Sequence, residues 1–229
     1  MKKIFLLLFA SLFVLPSCNS TKEKEKKDTY VIDNYIKKEV DIEMRDGIKL
    51  HTTIYSPKDT SKEYPILMKR TPYSSKPYGV EMKSKIGPNN HLMKEGNIVV
   101  YQDVRGRWMS EGVYDNMRAY IPNKKDNESD EVSDTYDTID WLVKNVENNN
   151  GKVGTWGISY PGHYATVSTI DAHPALKAAS PQACIGDFFF DDFHHNGAFL
   201  LSYFRAISLF GTYKDCLLYT SPSPRDGLL

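Results

Sequence analysis

A serine flanked by glycines stands in the run Val153-Gly154-Thr155-Trp156-Gly157-Ile158-Ser159-Tyr160-Pro161-Gly162. A serine hydroxyl is a poor nucleophile, so it attacks a carbonyl only where a histidine can reach it and backbone N–H groups can meet the oxyanion. The run predicts a buried strand, a cramped turn at Ser159 and the start of a helix, which is the layout of a nucleophile elbow. Gly157 leaves room for the turn, and Gly162 lets the helix pack closely. The alternative is a Gly/Ser/Pro loop without chemistry, because the loose pattern G-x-S-x-G requires glycine where Pro161 stands.

The segment that precedes this run favours the elbow over the loop. Residues 134–147 carry apolar side chains at helical spacing, with acidic residues early and a lysine late, and this pattern predicts an amphipathic helix. The helix leads directly into the strand that ends at Ser159. The predicted order of strand, helix, strand, turn and helix is the context that a serine elbow needs.

Five further strands are predicted around these elements. Alternating apolar and polar residues on both sides of Asp46-Gly47 predict a β-hairpin, and shorter apolar runs predict single strands. The predicted strands are residues 40–44, 48–54, 64–68, 98–101 and 176–180. Strands that alternate with helices indicate an α/β fold.

Tyr73 and the polar loop 102–112 both follow predicted strands. Pro72 stops any helix, so Tyr73 is expected at a strand end, which is the functional edge of an open α/β sheet. The loop carries Asp103 together with two arginines, Arg105 and Arg107. Such a loop either binds a ligand or is held in shape by pairing between its own arginine and aspartate side chains.

The segment 188–199 is aromatic and acidic together, with Asp191 and Asp192 at its centre. It either lines a pocket that receives a cationic group, or begins a helix whose N-terminal dipole favours the two carboxylates. His194 and His195 are adjacent and therefore point in different directions, so no metal site is predicted here.

Both ends of the chain differ from the middle. Lys2, Lys3 and an apolar run ending in Leu15-Pro16-Ser17-Cys18 predict a signal peptide over 1–18. The ending resembles a bacterial lipobox in which Cys18 carries the lipid, which predicts an exported lipoprotein of the cell envelope; the alternative is ordinary secretory cleavage. Residues 19–35 are predicted to be a flexible tether. Residues 215–229 continue no element and are predicted to be a non-native tail, with a natural Pro/Ser tail as the alternative.

The charge balance is neutral, with 29 basic and 29 acidic residues, which argues against a nucleic-acid-binding protein. Five motifs occur in the order seen in the X-Pro dipeptidyl-peptidase type (CocE/NonD) serine hydrolases, a group that includes α-amino-acid ester hydrolases and glutaryl-7-aminocephalosporanic acid acylases. They are Asp46-Gly47-Ile48-Lys49-Leu50, Arg70-Thr71-Pro72-Tyr73, Asp103-Val104-Arg105-Gly106 with Ser110-Glu111-Gly112, Asp137 with Trp141-Leu142, and Gly157-Ile158-Ser159-Tyr160-Pro161-Gly162. The chain resembles this family over residues 38–213, and the family's own pattern, G-x-S-Y-x-G, places its second glycine at Gly162.

The resemblance implies an incomplete α/β-hydrolase fold over 36–214, with a mixed, mostly parallel sheet, flanking helices and the start of a helical cap. It implies that Ser159 is the nucleophile and that the backbone N–H of Tyr160 and the hydroxyl of Tyr73 form the oxyanion hole. One of Asp191 and Asp192 would receive a substrate α-ammonium group. No cofactor and no metal are implied.

The expected substrate is an ester, an amide or a short peptide. In the family the triad aspartate and histidine follow the serine at a distance, so we expect both outside this chain and expect little activity from the chain alone. His163 is expected to pack or to face solvent. The alternatives are an X-Pro dipeptidyl-peptidase, an acylase acting on β-lactam-like amides, and a surface lipoprotein that binds peptides or glycans without catalysis.

Overall fold

The structure is a computed structural model that describes residues 28–203. The predicted signal peptide, Cys18, residues 19–27 of the predicted tether and the predicted tail at 215–229 therefore lie outside the described residues. Among residues 28–203, no helix combines the length and the apolar character needed to cross a membrane.

A six-stranded sheet forms the centre of the described chain. Its strands are β1 (Tyr35–Glu43), β2 (Lys49–Pro57), β3 (Tyr64–Thr71), β4 (Ile98–Asp103), β5 (Asn149–Ile158) and β6 (Leu176–Gln182). Their order across the sheet is β1-β2-β4-β3-β5-β6. β1 pairs antiparallel with β2 and β2 with β4, whereas β3 runs parallel to β4 and β5, and β5 parallel to β6. The sheet is mixed and mostly parallel, as predicted.

Helices flank this sheet. They are α1 (Tyr30–Asn34), α2 (Asn90–Lys94), α3 (Glu131–Asn145) and α4 (Tyr160–Val167), followed by a π-helical turn (Phe188–Phe193) and the short strands β7 (His194–His195) and β8 (Ala198–Phe199). α3 begins three residues earlier than the predicted 134, because Asp130 accepts a hydrogen bond from the Ser133 backbone while the Ser133 side chain accepts one from the Asp130 backbone. This capping box satisfies two otherwise unpaired N–H groups at the helix start.

The predicted tether is wrong at its C-terminal end. Tyr30–Asn34 form α1, and Val31 is fully buried. Tyr35 begins β1, and its buried hydroxyl donates to the Met93 carbonyl at 2.6 Å. Burial of these apolar side chains offsets the entropy lost on ordering this segment, so a flexible tether must end before Tyr30.

The sheet buries both of its faces. One face packs against α3 through Ile66, Val100, Ile139 and Leu142. The opposite face buries a second apolar cluster, made by Val31, Tyr35, Tyr55, Ile86, Met93, Val99 and Tyr101. Parallel strands that are covered on both faces leave their carboxyl ends as the accessible edge, and this edge carries the candidate site.

Candidate active site

Ser159 lies in the turn between β5 and α4 and is solvent-exposed. Its backbone has φ 62° and ψ −126°, a region that residues other than glycine rarely occupy. The surrounding structure must impose this conformation, because it costs about 1–3 kcal/mol. The Ser159 N–H donates to the Gln182 carbonyl at the end of β6 at 2.9 Å, and the Ser159 carbonyl accepts from the His163 N–H at 3.1 Å.

The two glycines around Ser159 have no room for a side chain. A Cβ at Gly157 would lie 2.2 Å from the carbonyl carbon and oxygen of Pro161, and a Cβ at Gly162 would lie 2.5 Å from the Gln182 oxygen. Pro161 stands in the first turn of α4, where its missing N–H costs no helical hydrogen bond. The spacing G-x-S-Y-x-G is therefore a steric requirement of this turn, and proline at 161 is compatible with it.

The structure brings Tyr73 to the elbow. Tyr73 follows the end of β3, and the parallel strands β3 and β5 end at the same edge of the sheet. The ring of Tyr73 lies edge-on to the ring of Tyr160, with 6.3 Å between their centroids, and Tyr73 is 41% exposed. The backbone N–H of Tyr160 follows Ser159 directly at the start of α4, where N–H groups lack helical acceptors.

The side chain of Tyr160 is buried and has a different environment from its backbone. Its hydroxyl accepts hydrogen bonds from the Tyr114 hydroxyl at 2.7 Å and from the Met117 N–H at 2.8 Å, and it also bonds Asn116. Burial raises the pKa of Tyr160. The phenol is thus engaged with the segment 114–117.

Asp103 ends β4 and holds the loop that follows Tyr73. Its carboxylate accepts from the Ser75 N–H at 2.6 Å and from the Tyr78 hydroxyl at 2.7 Å. Burial raises the pKa of Asp103, with these hydrogen bonds opposing the shift. Burial and the neighbouring Asp103 charge raise the pKa of Tyr78, so this hydroxyl stays a proton donor. No local sequence pattern links Asp103 to the Tyr73 loop, because Asp103 lies 25 positions from Tyr78 and 28 positions from Ser75.

The arginines of the loop 102–112 hold its shape, although their partners lie outside it. Arg105 is buried and forms ion pairs with Asp46 at 2.7 Å and Asp134 at 2.6 Å. Arg70 at the end of β3 pairs with Glu131 at 3.0 Å and approaches Asp134 within 3.6 Å. We call these five residues the buried charge network. Burial raises the pKa of Glu131 to about 7, while the Arg70 charge opposes the shift.

The structure places the two candidate carboxylates differently. Oδ2 of Asp191 accepts from the backbone N–H groups of Gly186 and Asp187 at 2.8 and 2.9 Å, which lowers the pKa of this exposed group. Asp192 raises the pKa of Tyr203 to about 12, and its Oδ2 is buried without a hydrogen-bond partner among the described residues. Asp191 is therefore committed to the backbone of its own turn, whereas Asp192 retains an oxygen that could accept from a ligand.

All six histidines lie within the described residues, and none of their side chains hydrogen-bonds the Ser159 hydroxyl there. His163 lies on α4 beside the stacked rings of Tyr160 and Tyr164, and burial lowers its pKa. The other histidines have neighbours elsewhere: His51 bonds Asp41 at 2.9 Å, and His173 approaches Asp140 within 3.4 Å. Of the two expectations for His163, packing and exposure to solvent, the structure shows packing. The Nε2 atom of His163 is buried without a hydrogen-bond partner in residues 28–203.

Comparisons with known proteins identify the family of this chain. Residues 46–226 match the family described as X-Pro dipeptidyl-peptidase (S15 family). This match extends beyond residue 214, which is the predicted end of the domain. The cocaine esterase of Rhodococcus sp. (strain MB1 Bresler) is 30% identical over 149 residues, which are 65% of this chain and 23% of the esterase.

Two solved structures are similar over most of the chain. An aminopeptidase from the marine sediment archaeon Thaumarchaeota archaeon is 40% identical, with a TM-score of 0.65, over 72% of this chain and 28% of its own. An α-amino acid ester hydrolase is 38% identical, with a TM-score of 0.69, over 86% of this chain and 33% of its own. The chain thus spans between about a quarter and a third of these relatives. Because the family match covers more than half of the chain, the chain belongs to the X-Pro dipeptidyl-peptidase (S15) family of hydrolases, and its fold is that of an α/β-hydrolase.

Proposed function

We propose that Ser159 is the nucleophile of a serine hydrolase that cleaves an ester or amide through an acyl-enzyme. The observation that carries this proposal is the backbone conformation of Ser159, whose φ is 62°. Gly157 and Gly162 leave no space for a side chain on either side of the turn. A turn of this kind exposes a hydroxyl at the carboxyl edge of the sheet, where a carbonyl compound can approach it.

In this mechanism the Ser159 oxygen forms a bond to the carbonyl carbon while a histidine accepts the hydroxyl proton. The carbonyl oxygen becomes an oxyanion, to which the Tyr160 N–H and the Tyr73 hydroxyl donate. Collapse of the intermediate breaks the bond to the leaving group, which takes the proton from the histidine. Water then hydrolyses the acyl-enzyme. Each oxyanion donor lowers the activation free energy by about 2.7–4 kcal/mol.

The histidine and its orienting carboxylate are proposed to come from sequence outside these 229 residues. Two observations support this: no described residue hydrogen-bonds the Ser159 hydroxyl, and the chain covers only 23–33% of its relatives. Loss of the triad histidine costs on the order of 10⁶-fold in turnover. We therefore expect the 229-residue chain alone to have very little hydrolytic activity, so activity has to be measured on the full-length protein.

The proposed substrate is an amino-acid ester, an acyl amide or a short peptide. Its support is that the relatives are named as an esterase, an aminopeptidase and an α-amino acid ester hydrolase. The unpartnered oxygen of Asp192 is the proposed acceptor for a substrate ammonium group. Rates measured side by side on X-Pro anilides, glycine esters and glutaryl amides would distinguish a dipeptidyl-peptidase, an ester hydrolase and an acylase.

The nucleophile is tested by covalent labelling with a fluorophosphonate. The full-length protein should be labelled at Ser159, and Ser159→Ala should remove both the label and the hydrolysis of amino-acid esters. Ser61→Ala, at an exposed serine between β2 and β3, is the matched control and should keep both. Labelling or hydrolysis that persists in Ser159→Ala would contradict the proposal, and a protein that is never labelled would favour a binding lipoprotein.

We also propose that Cys18 carries a lipid that attaches the protein to a membrane of the bacterial cell envelope. The support is the sequence alone, with its basic residues, its apolar run and the lipobox-like ending at Cys18.

A further inference from the structure

The peptide group that joins Pro72 to Tyr73 is held at both of its edges. Its carbonyl oxygen accepts from the indole Nε1–H of Trp108 at 2.8 Å and from the Nε–H of Arg107 at 3.3 Å. Its N–H donates to the Thr71 hydroxyl oxygen at 3.0 Å. Because a peptide group is planar, fixing its oxygen and its nitrogen fixes its rotation, and with it the position of the Tyr73 Cα from which the side chain extends.

Trp108 makes this contact from an unfavourable backbone conformation. Its φ is +54°, which is in the left-handed region and rare for a bulky side chain. The neighbouring Gly106 has φ +68°, and a Cβ there would lie 2.0 Å from the Tyr114 nitrogen. The loop thus folds back tightly on itself, in a shape that directs the indole N–H at the Pro72 carbonyl.

The same loop is anchored to the interior and is linked through Tyr114 to the residue of the second proposed oxyanion donor. Arg105 ties it to Asp46 and Asp134 through buried ion pairs. The guanidinium of Arg107 lies over the ring of Tyr114 at 4.8 Å, and the Tyr114 hydroxyl donates to that of Tyr160. Residues 105–108 therefore form a rigid support between the core and the Tyr73 turn.

We propose that Trp108 is a positioning residue for the oxyanion hole, which acts by orienting Tyr73 through the Pro72 carbonyl. This inference rests on the proposed function, in which the Tyr73 hydroxyl stabilises the oxyanion. Trp108 does not touch the substrate in this proposal. A hydroxyl that is misplaced by about 1 Å forfeits transition-state stabilisation while substrate binding is little affected, so the effect should fall on kcat.

The test is a double-mutant cycle in the full-length protein with an amino-acid ester as substrate. Trp108→Phe keeps an aromatic ring but removes the donor, and should lower kcat about 10- to 100-fold with little change in KM. Tyr73→Phe should lower kcat about 10²- to 10³-fold. With Tyr73→Phe already present, Trp108→Phe should change kcat less than twofold, because the hydroxyl that it orients is gone. Trp141→Phe on α3 is the control and should leave kcat and KM unchanged.

The outcomes separate the two proposals. An unchanged kcat in Tyr73→Phe would overturn the proposed oxyanion role of Tyr73. If Tyr73→Phe lowers kcat as expected, two results would overturn the positioning role alone. Either Trp108→Phe leaves kcat unchanged, or it lowers kcat by the same factor with and without Tyr73→Phe. If Trp108→Phe does not fold, hydrogen exchange of the three indole N–H groups gives a second measurement on the unmodified protein. The Trp108 indole should be strongly protected, and exchange as fast as that of a free indole would contradict the proposal.

Discussion

Ser159 has an unfavourable backbone, and its neighbours impose it. The turn closes because Gly157 lies against the Pro161 carbonyl group and because the Ser159 N–H finds an acceptor in Gln182. The hydroxyl is thereby held at the sheet edge before any histidine contacts it. Such strain is expected where a reactive group must be held in place, and it makes the turn sensitive to very small additions of volume.

One added methyl group tests this sensitivity. Gly157→Ala places a Cβ 2.2 Å from the Pro161 backbone, whereas Gly154→Ala on the same strand meets the flexible end of Leu67 at 3.3 Å. We expect Gly157→Ala to lower the free energy of unfolding by about 4 kcal/mol or more, and Gly154→Ala by about 1 kcal/mol. Urea unfolding of the two variants measures the difference. Similar losses in both would mean that the turn relaxes easily and is not sterically fixed.

The residues of the elbow could be predicted from the sequence, but their supports could not. Ser159, Gly157 and Gly162 lie within six consecutive positions, so their pattern is local. Trp108 and Arg107 reach Pro72 across 36 and 35 positions, and no periodicity or short motif indicates such a contact. The loop's arginines were expected either to bind a ligand or to pair with aspartate inside the loop, and only the fold reveals Asp46 and Asp134 as the partners of Arg105.

At the scale of elements, the buried charge network joins β3, the loop after β4 and the first turn of α3. Asp134 is its centre, because it pairs with Arg105 at 2.6 Å and lies 3.6 Å from Arg70. Charges that are removed from water are tolerated only while they are paired. The helix start, the hairpin turn at Asp46 and the support of Tyr73 are therefore coupled through one carboxylate.

Two aspartates of α3 provide a matched test of this coupling. Asp134→Asn removes the carboxylate that pairs with Arg105 and lies near Arg70, and leaves these buried arginines only Asp46 and Glu131 as charged partners. The loss of these charge-assisted hydrogen bonds should lower the free energy of unfolding by about 1.5–3 kcal/mol. Asp140→Asn removes only the exposed pair with Lys144 and the contact with His173, so it should cost about 0–1 kcal/mol. Denaturant midpoints of the two variants decide the question. Losses of equal size would show that the network does not stabilise the fold.

Element types were easier to predict than element ends. Periodicity predicts the hairpin and the amphipathic helix, and short apolar runs predict the single strands, whereas the mostly parallel pairing follows from the family resemblance. Three strands continue beyond their predicted ends: β3 to Thr71, β4 to Asp103 and β6 to Gln182. Polar residues at these ends stay in the sheet because they pair with neighbouring strands, and the periodicity of a single segment does not indicate such pairing. The helix over Tyr30–Asn34 was missed because a five-residue element is too short to show a period.

At the scale of the whole molecule, the described sheet has an exposed edge. β6 has one hydrogen-bonded neighbour, β5, among the described strands, and most of its residues are exposed. Ile158, which pairs with Gln182 of β6, is 55% exposed. An apolar side chain and a strand edge in one place are a surface on which further chain can pack. The relatives, of which this chain covers only 23–33%, contain further chain of this kind.

The proposed anchor concerns the molecule as a whole and is tested by fractionation. When the chain is expressed with its N-terminus in a bacterial host that processes lipoproteins, it should be recovered with membranes and partition into detergent. Cys18→Ala should move it to the aqueous fraction, because a thiol is required for lipid attachment. Cys184→Ala is the control and should remain with the membranes. Membrane association that survives Cys18→Ala would contradict the proposal.

The hydrogen bond from the Ser159 N–H to the Gln182 carbonyl also sets an order of events during synthesis. Gln182 follows Ser159 by 23 positions in the chain, and the carbonyl that fixes the serine amide is also the atom that Gly162 packs against. At about 5–20 residues per second the ribosome adds Gln182 roughly 1–5 s after Ser159. For that interval a newly made chain has the serine but not the contact that locks its turn. The backbone of the Ser159 turn thus becomes fixed only after β6 has been synthesised and has joined the sheet.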